Sequence, residues 1–194
     1  MMGLEARRRM FLRRALVLGD GPLGRAIADD LGRSREMSVT VVAAQALGDA
    51  AAVAKLVSEF AVVLNALPAP QALSALSATI EANRLIADAV SPVDQARPFD
   101  ARAVEMEVAA CVGCGREGLA ALLGRDPVIG GNGASAAALE THLGAWMATA
   151  WARRLLTGDF RGHWGVWTPE RLAARVGMRH AVLADLGERG IDVR

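Results

Sequence analysis

Apolar residues along this chain fall into short unbroken runs, and between them lie longer stretches whose apolar positions recur at helical spacing. The runs at 15–18, 38–43, 61–65, 85–88 and 108–112 are short, and the β-branched, largely apolar run at 38–43 reads as a strand buried on both faces. Between them, 49–60 places Val53, Leu56, Val57 and Phe60 on one helical face, 71–83 is a second amphipathic helix, and a third runs through Ala103 and Val104. Pro68 and Pro70 end the third run and predict a turn there. A long helix over 136–156 follows, then a proline-containing loop at 167–170 and a last short helix and strand. Alternation of this kind builds a parallel sheet with helices on both faces, here with a helical tail at the C-terminal end.

The first apolar run breaks into Gly19-x-Gly21-x-x-Gly24 and then into a helical pattern, which is how a dinucleotide-binding strand, turn and helix read. Gly19 allows the tight turn, Gly21 lets the backbone approach a pyrophosphate, and Gly24 lets the helix pack close to the strand. Pro22 and Leu23 lie at the helix opening, where free N–H groups face phosphates. A glycine-rich turn also serves packing alone. The strand before it and the helix after it are what favour a nucleotide, NAD or NADP.

Ligands of parallel sheets bind beyond the carboxyl ends of the strands. That rim collects the first glycine loop, then Asn65, Ala66, Leu67 and Pro68, then Asp88 and the turn at Gly113. Asp88 is the best-placed carboxylate and a candidate catalytic residue, with N-capping or loop hydrogen bonding as its other reading. The end of the second strand, where an acid normally reads the adenosine ribose, offers Ala43, Ala44 and Gln45. Gln45 is left to hydrogen-bond a ribose, and Arg33 or Arg35 to approach a 2′-phosphate.

Composition narrows the function classes. The 194 residues are 53% apolar, and 22 Lys and Arg balance 21 Asp and Glu to a net charge of +1, with no Tyr. Neither a basic excess nor aromatic interleaving points to nucleic acid. Lys55, the single lysine, sits in a polar helical context, which sets aside Schiff-base chemistry. Arg7, Arg8, Arg9, Arg13 and Arg14 read as a basic leader over 1–14 and not as a secretory signal, because the apolar run that follows is the first strand itself. No stretch is long enough to span a bilayer, so the reading is a soluble, cytoplasmic protein with no membrane partner.

Cys111 and Cys114 are spaced for a redox dithiol or half a zinc site. The three histidines, His142, His163 and His180, are scattered without ligand spacing, so no metal is expected. The cysteines also fit an apolar strand ending in a glycine turn. Glu140 and His142, two apart on one helix, point to different sides, whereas His142 and Trp146 share a face. His142 is the second candidate catalytic residue. All four tryptophans lie between 146 and 167, enough aromatic surface to wall a pocket, form an oligomer interface or cap the sheet. The glycines at 130–133 form either a second phosphate turn or a tight reversal.

Three blocks, at 17–24 (VLGDGPLG), 62–68 (VVLNALP) and 111–119 (CVGCGREGL), with a tail at 151–156, 167–170 and 186–191, resemble in type and order the cofactor domain of saccharopine dehydrogenase-like reductases. The resemblance implies an α/β, Rossmann-like parallel sheet and an NAD(P)-dependent oxidoreductase acting on an amino-acid or imine C–N bond of a small molecule. Such proteins carry a separate substrate domain after the third block, but here only 126–137 intervenes. The stretch before Asp49 is also too short for their additional strand and helix, so the sheet is shortened. On this reading, 15–127 is the nucleotide-binding domain and 128–194 a helical extension completing it. Loss of a covering domain leaves a patch rich in Trp and Ala, which predicts a homodimer through 136–156. The alternative is a non-redox descendant of the same fold: a pseudoenzyme, a partner-binding subunit or a cofactor-free enzyme.

Overall fold

The structure is a computed structural model that describes residues 14–33, 37–130, 135–175, 177–189 and 192–193. The basic leader up to Arg13, Arg35 and the glycines at 131–133 lie outside the described residues. In chain order the elements are β1 (Arg14–Leu18), α1 (Pro22–Arg33), β2 (Ser38–Val42), α2 (Ala50–Val57), β3 (Val62–Asn65), α3 (Ala69–Glu81), β4 (Leu85–Asp88), α4 (Val93–Ala96), α5 (Asp100–Glu105) and β5 (Ala109–Cys111). There follow α6 (Arg116–Leu123), β6 (Ile129–Gly130), α7 (Ala136–Thr157), β7 (Gly165–Trp167), α8 (Pro169–Ala173), α9 (Met178–Gly187) and β8 (Asp192–Val193).

Six strands form one sheet in the order β2-β1-β3-β4-β5-β7, and every pairing is parallel. The chain steps outward from β1 to β2, crosses back to lay β3 on the other side of β1, and then proceeds outward through β4, β5 and β7. Between β1 and β3 the connections therefore diverge, which opens the crevice where parallel sheets take ligands.

Side chains alternate across each strand, so the sheet carries two cores. Ala15, Val17, Val62, Leu64 and Ala87 face α1 and α7, whereas Leu16, Leu18, Val63 and Ile86 face α2 and α3. Helix α7 buries Leu143, Met147, Trp151 and Leu155, a stripe at four-residue spacing that lies against β3 and β4. Its start is capped by Ser135, whose hydroxyl accepts from the Ala138 amide, and its end by Gly158 at φ 88°.

Three features differ from the sequence reading. Helix α3 begins at Ala69, with Pro70 inside its first turn, where a missing N–H breaks no helical bond. The chain turns over 66–68 as expected, and the second proline lies inside the helix that follows. The stretch at 165–167 is the sixth strand of the sheet, although three residues show no periodicity from which to read it. The apolar face of α7, expected to be left for a second copy, is taken up within the chain by the sheet, α1 and α9.

The tail is tied down by a buried carboxylate. Asp30 on α1 accepts from Thr149 Oγ1 on α7 at 2.5 Å and from Arg189 Nε and Nη2 beyond α9 at 3.0 and 3.2 Å. Strands β6 and β8 pair antiparallel in a separate ribbon.

Candidate functional site

The carboxyl ends of β1 and β3 meet at the first glycine loop. Gly19 sits at φ 102°, and a Cβ there would stand 2.6 Å from the Ala66 carbonyl oxygen, so both its conformation and the approach of β3 require glycine. A Cβ on Gly24 would stand 1.9 Å from the Gly19 carbonyl oxygen. That contact lets α1 start directly on top of β1. Gly21 is different: it is exposed, and the position of its Cβ has nothing within 4 Å. Among the described residues, the amides of Gly21, Leu23 and Gly24 donate to no protein acceptor. The loop thus presents free N–H groups around a space that a side chain would fill, and this geometry fits a pyrophosphate.

The facing loop is held by side chains on adjacent strands. Asn65 and Asp88 are register partners at the ends of β3 and β4, and both are fully buried. Asn65 Nδ2 donates to Asp88 Oδ2 and to the Ala72 carbonyl, each at 2.9 Å, while its Oδ1 accepts from the Leu67 amide. Asp88 also accepts from the amides of Val90 and Ser91 and from the Ser91 hydroxyl at 2.7 Å. Burial pushes the Asp88 carboxyl above the ordinary carboxylate value, against four hydrogen bonds that pull it down. With every lone pair engaged, this carboxylate fixes the loops after β3 and β4. It presents no free oxygen to a substrate.

A second glycine loop repeats the first. Gly113, Gly115 and Gly118 have the same spacing, between β5 and α6. Gly113 lies at φ 77°, a Cβ on Gly118 would stand 1.6 Å from the Gly113 carbonyl oxygen, and the Cβ position of Gly115 is open. The sequence points to the turn at Gly113, and Gly115 and Gly118 complete a pattern that is legible in the spacing. Beside this loop, a cleft of about 340 Å³ is lined by Ser91, Val93, Cys114, Glu117, Pro169 and Glu170 among others. It lies on the same rim as the first loop, beyond β4 and β5.

At the ribose end, β2 gives way to a short 3-10 turn over Ala44–Ala46, and Gln45 there is exposed. No carboxylate stands at 43–47. Arg33 closes α1, so it is roughly 16 Å along the helix axis from Pro22 and belongs to the opposite end of the sheet. It cannot serve a 2′-phosphate at the rim.

His142 is exposed on α7, its ring edge-on to Trp146 at 5.5 Å, and it shares a cleft with Pro22, Arg25 and Arg33 along the flank of α1. Glu140 faces elsewhere, 3.8 Å from Arg116. His163 is exposed and stands edge-on to Trp167. The tryptophans divide: Trp151 and Trp167 are buried in the core, and Trp146 and Trp164 are half-buried. Cys111 and Cys114 are both free. Burial pushes both thiols up, and for Cys114 the neighbouring Asp88 and Cys111 add to it. Neither is poised as a thiolate. Among the described residues no three His, Cys, Asp or Glu side chains gather as a metal site, and no helix is long and apolar enough to cross a membrane.

No family model and no curated protein matches the chain. Among solved structures, apo saccharopine dehydrogenase (L-Glu forming) from Saccharomyces cerevisiae is similar with a TM-score of 0.46 and 13% identity, over 58% of this chain. The chain spans 29% of that enzyme's length. Its own architecture is an α/β fold with a Rossmann-like parallel sheet of six strands, and its switch-point crevice opens at a glycine loop with free amides.

Proposed function

We propose that this chain binds NAD or NADP across the crevice between β1 and β3 and is an oxidoreductase acting on an amino-acid or imine C–N bond. The observation that carries the reading is the open Gly21 position, framed by the amides of Gly21, Leu23 and Gly24. Gly19 and Gly24 bring strand and helix close enough for those amides to converge, while Asn65, Ala66, Leu67 and Pro68 form the opposite wall. When bound, the dinucleotide supplies hydride transfer. The protein orients it and excludes water.

In this reading Asp88 is a positioning residue: through Asn65 and Ser91 it sets the loops against which the nicotinamide end rests. Gly113 carries the rim onward to the neighbouring cleft. His142 shares its cleft with Pro22 and Arg25 along the flank of α1, and no residue of the loops after β3 or β4 lines that cleft. Gln45 hydrogen-bonds the adenosine ribose, and with no carboxylate there to repel a 2′-phosphate, NADH and NADPH bind with affinities within about tenfold of each other.

A second reading, nucleotide binding without redox chemistry, is favoured by one observation: the rim's best-placed carboxylate spends its acceptors inside the protein. Fluorescence titration with NADH and NADPH, followed by cofactor oxidation assays with oxo acids and ammonia, separates the two. Saturable binding with turnover supports the oxidoreductase, and binding without turnover supports the second reading. No saturable binding at about 1 mM of either dinucleotide rejects both.

A further inference from the structure

A cavity of about 830 Å³ opens at the amino ends of β3 and β4, the edge of the sheet opposite the glycine loops. Its volume is that of small-molecule sites. The walls are apolar: Phe60 and Phe160, almost wholly buried in the two opposite cores, form fixed surfaces, and Leu85, Leu156 and Trp164 remain half-buried around them.

Two guanidinium groups stand among these walls. Arg84 donates Nε and Nη2 to the Ser58 carbonyl at 3.1 and 2.8 Å, and Nη1 to the Asn83 carbonyl at 2.9 Å. Its head is therefore fixed, yet both acceptors are neutral. Arg161, in the turn after α7, is exposed, and among the described residues its side chain meets no acceptor. Among the described residues neither arginine forms an ion pair. Glu59 is the single carboxylate among the residues lining the cavity, which leaves it one positive charge in excess.

We propose that the apolar cavity framed by Phe60, Leu156 and Trp164 binds an amphipathic monoanion, a carboxylate with a fatty or aryl body, its head between Arg84 and Arg161. A guanidinium already anchored on backbone carbonyls loses little freedom when it pairs with a carboxylate. The apolar body replaces water over the half-buried side chains, and this site is independent of the dinucleotide crevice.

The test is calorimetric titration of the full chain with decanoate, in parallel with decan-1-ol, which keeps the body and lacks the charge. Saturable one-to-one binding is expected, weakened about tenfold for the alcohol and about tenfold by Arg161→Glu. Leu156→Trp, which fills the cavity without touching the head, abolishes it, with thermal melting as the check on folding. No saturable binding of decanoate at about 1 mM overturns the proposal. So does equal binding of acid and alcohol with no response to Arg161→Glu. Sedimentation at twice the chain mass with decanoate excluded assigns the cavity to a second copy and overturns it as well.

Discussion

Gly24 lies so close to Gly19 that a β-carbon on it would come within 1.9 Å of the Gly19 carbonyl oxygen, and Gly118 stands in the same relation to Gly113 at 1.6 Å. Both loops are built by the first and third glycines, and the middle one carries no packing load. The expected pattern is therefore asymmetric. Gly24→Ala and Gly118→Ala each lose about 2–3 kcal/mol, because backbone must move to admit the methyl group. Gly21→Ala stays within about 0.5 kcal/mol of the parent, since its Cβ meets nothing and its φ is ordinary. Urea midpoints of the three variants check this.

Asp88→Asn tests the buried network. Asparagine turns one acceptor into a donor facing Asn65 Nδ2 and Ser91 Oγ, so the variant loses about 1–3 kcal/mol. Burial holds the Asp88 carboxyl above its ordinary value of 3.8. The unfolded chain then releases this proton at lower pH than the folded chain. The group's share of stability is intact below 3.8 and falls as pH rises toward the folded value. Parent stability should decline relative to Asp88→Asn as pH climbs from the acid side, read from urea midpoints at a series of pH values. A gain in that direction contradicts the assignment.

Asp30 and Arg189 form a pair whose side chains are 7% and 14% exposed. Asp30→Ala leaves Arg189 and Thr149 without their shared acceptor and costs about 3–5 kcal/mol. Replacing both charges, Asp30→Leu with Arg189→Met, recovers most of it, because neither buried charge is then left alone. The double variant melting above the single is the outcome expected from thermal unfolding.

How much of this was legible in the chain depends on the range of the interaction. The strands at 15–18, 62–65 and 85–88 showed themselves because each is a local run of apolar residues buried on both faces. The roles of Gly19 and Gly24 were legible because their spacing carries a steric meaning. Strand β7 was not, since Gly165–Trp167 is too short for a pattern and becomes a strand only because β5 has a free edge. Asp88 was placed on the rim correctly, but its engagement with Asn65 depends on two strands lying side by side in register, which no local pattern reports. Gly118 completes a spacing plainly present at 113–118. The cavity between Phe60 and Trp164 joins segments a hundred residues apart and leaves no sequence signal.

The claim on which the account turns is that the amides opening α1 receive a diphosphate. Amide-resolved NMR titration with NADH measures it most directly. The account predicts that the Gly21, Leu23 and Gly24 resonances shift together and saturably, and that Gly21→Ala, folded as stably as the parent, abolishes the shifts. Resonances that stay fixed while NADH reaches about 1 mM, or shifts that persist unchanged in Gly21→Ala, contradict it.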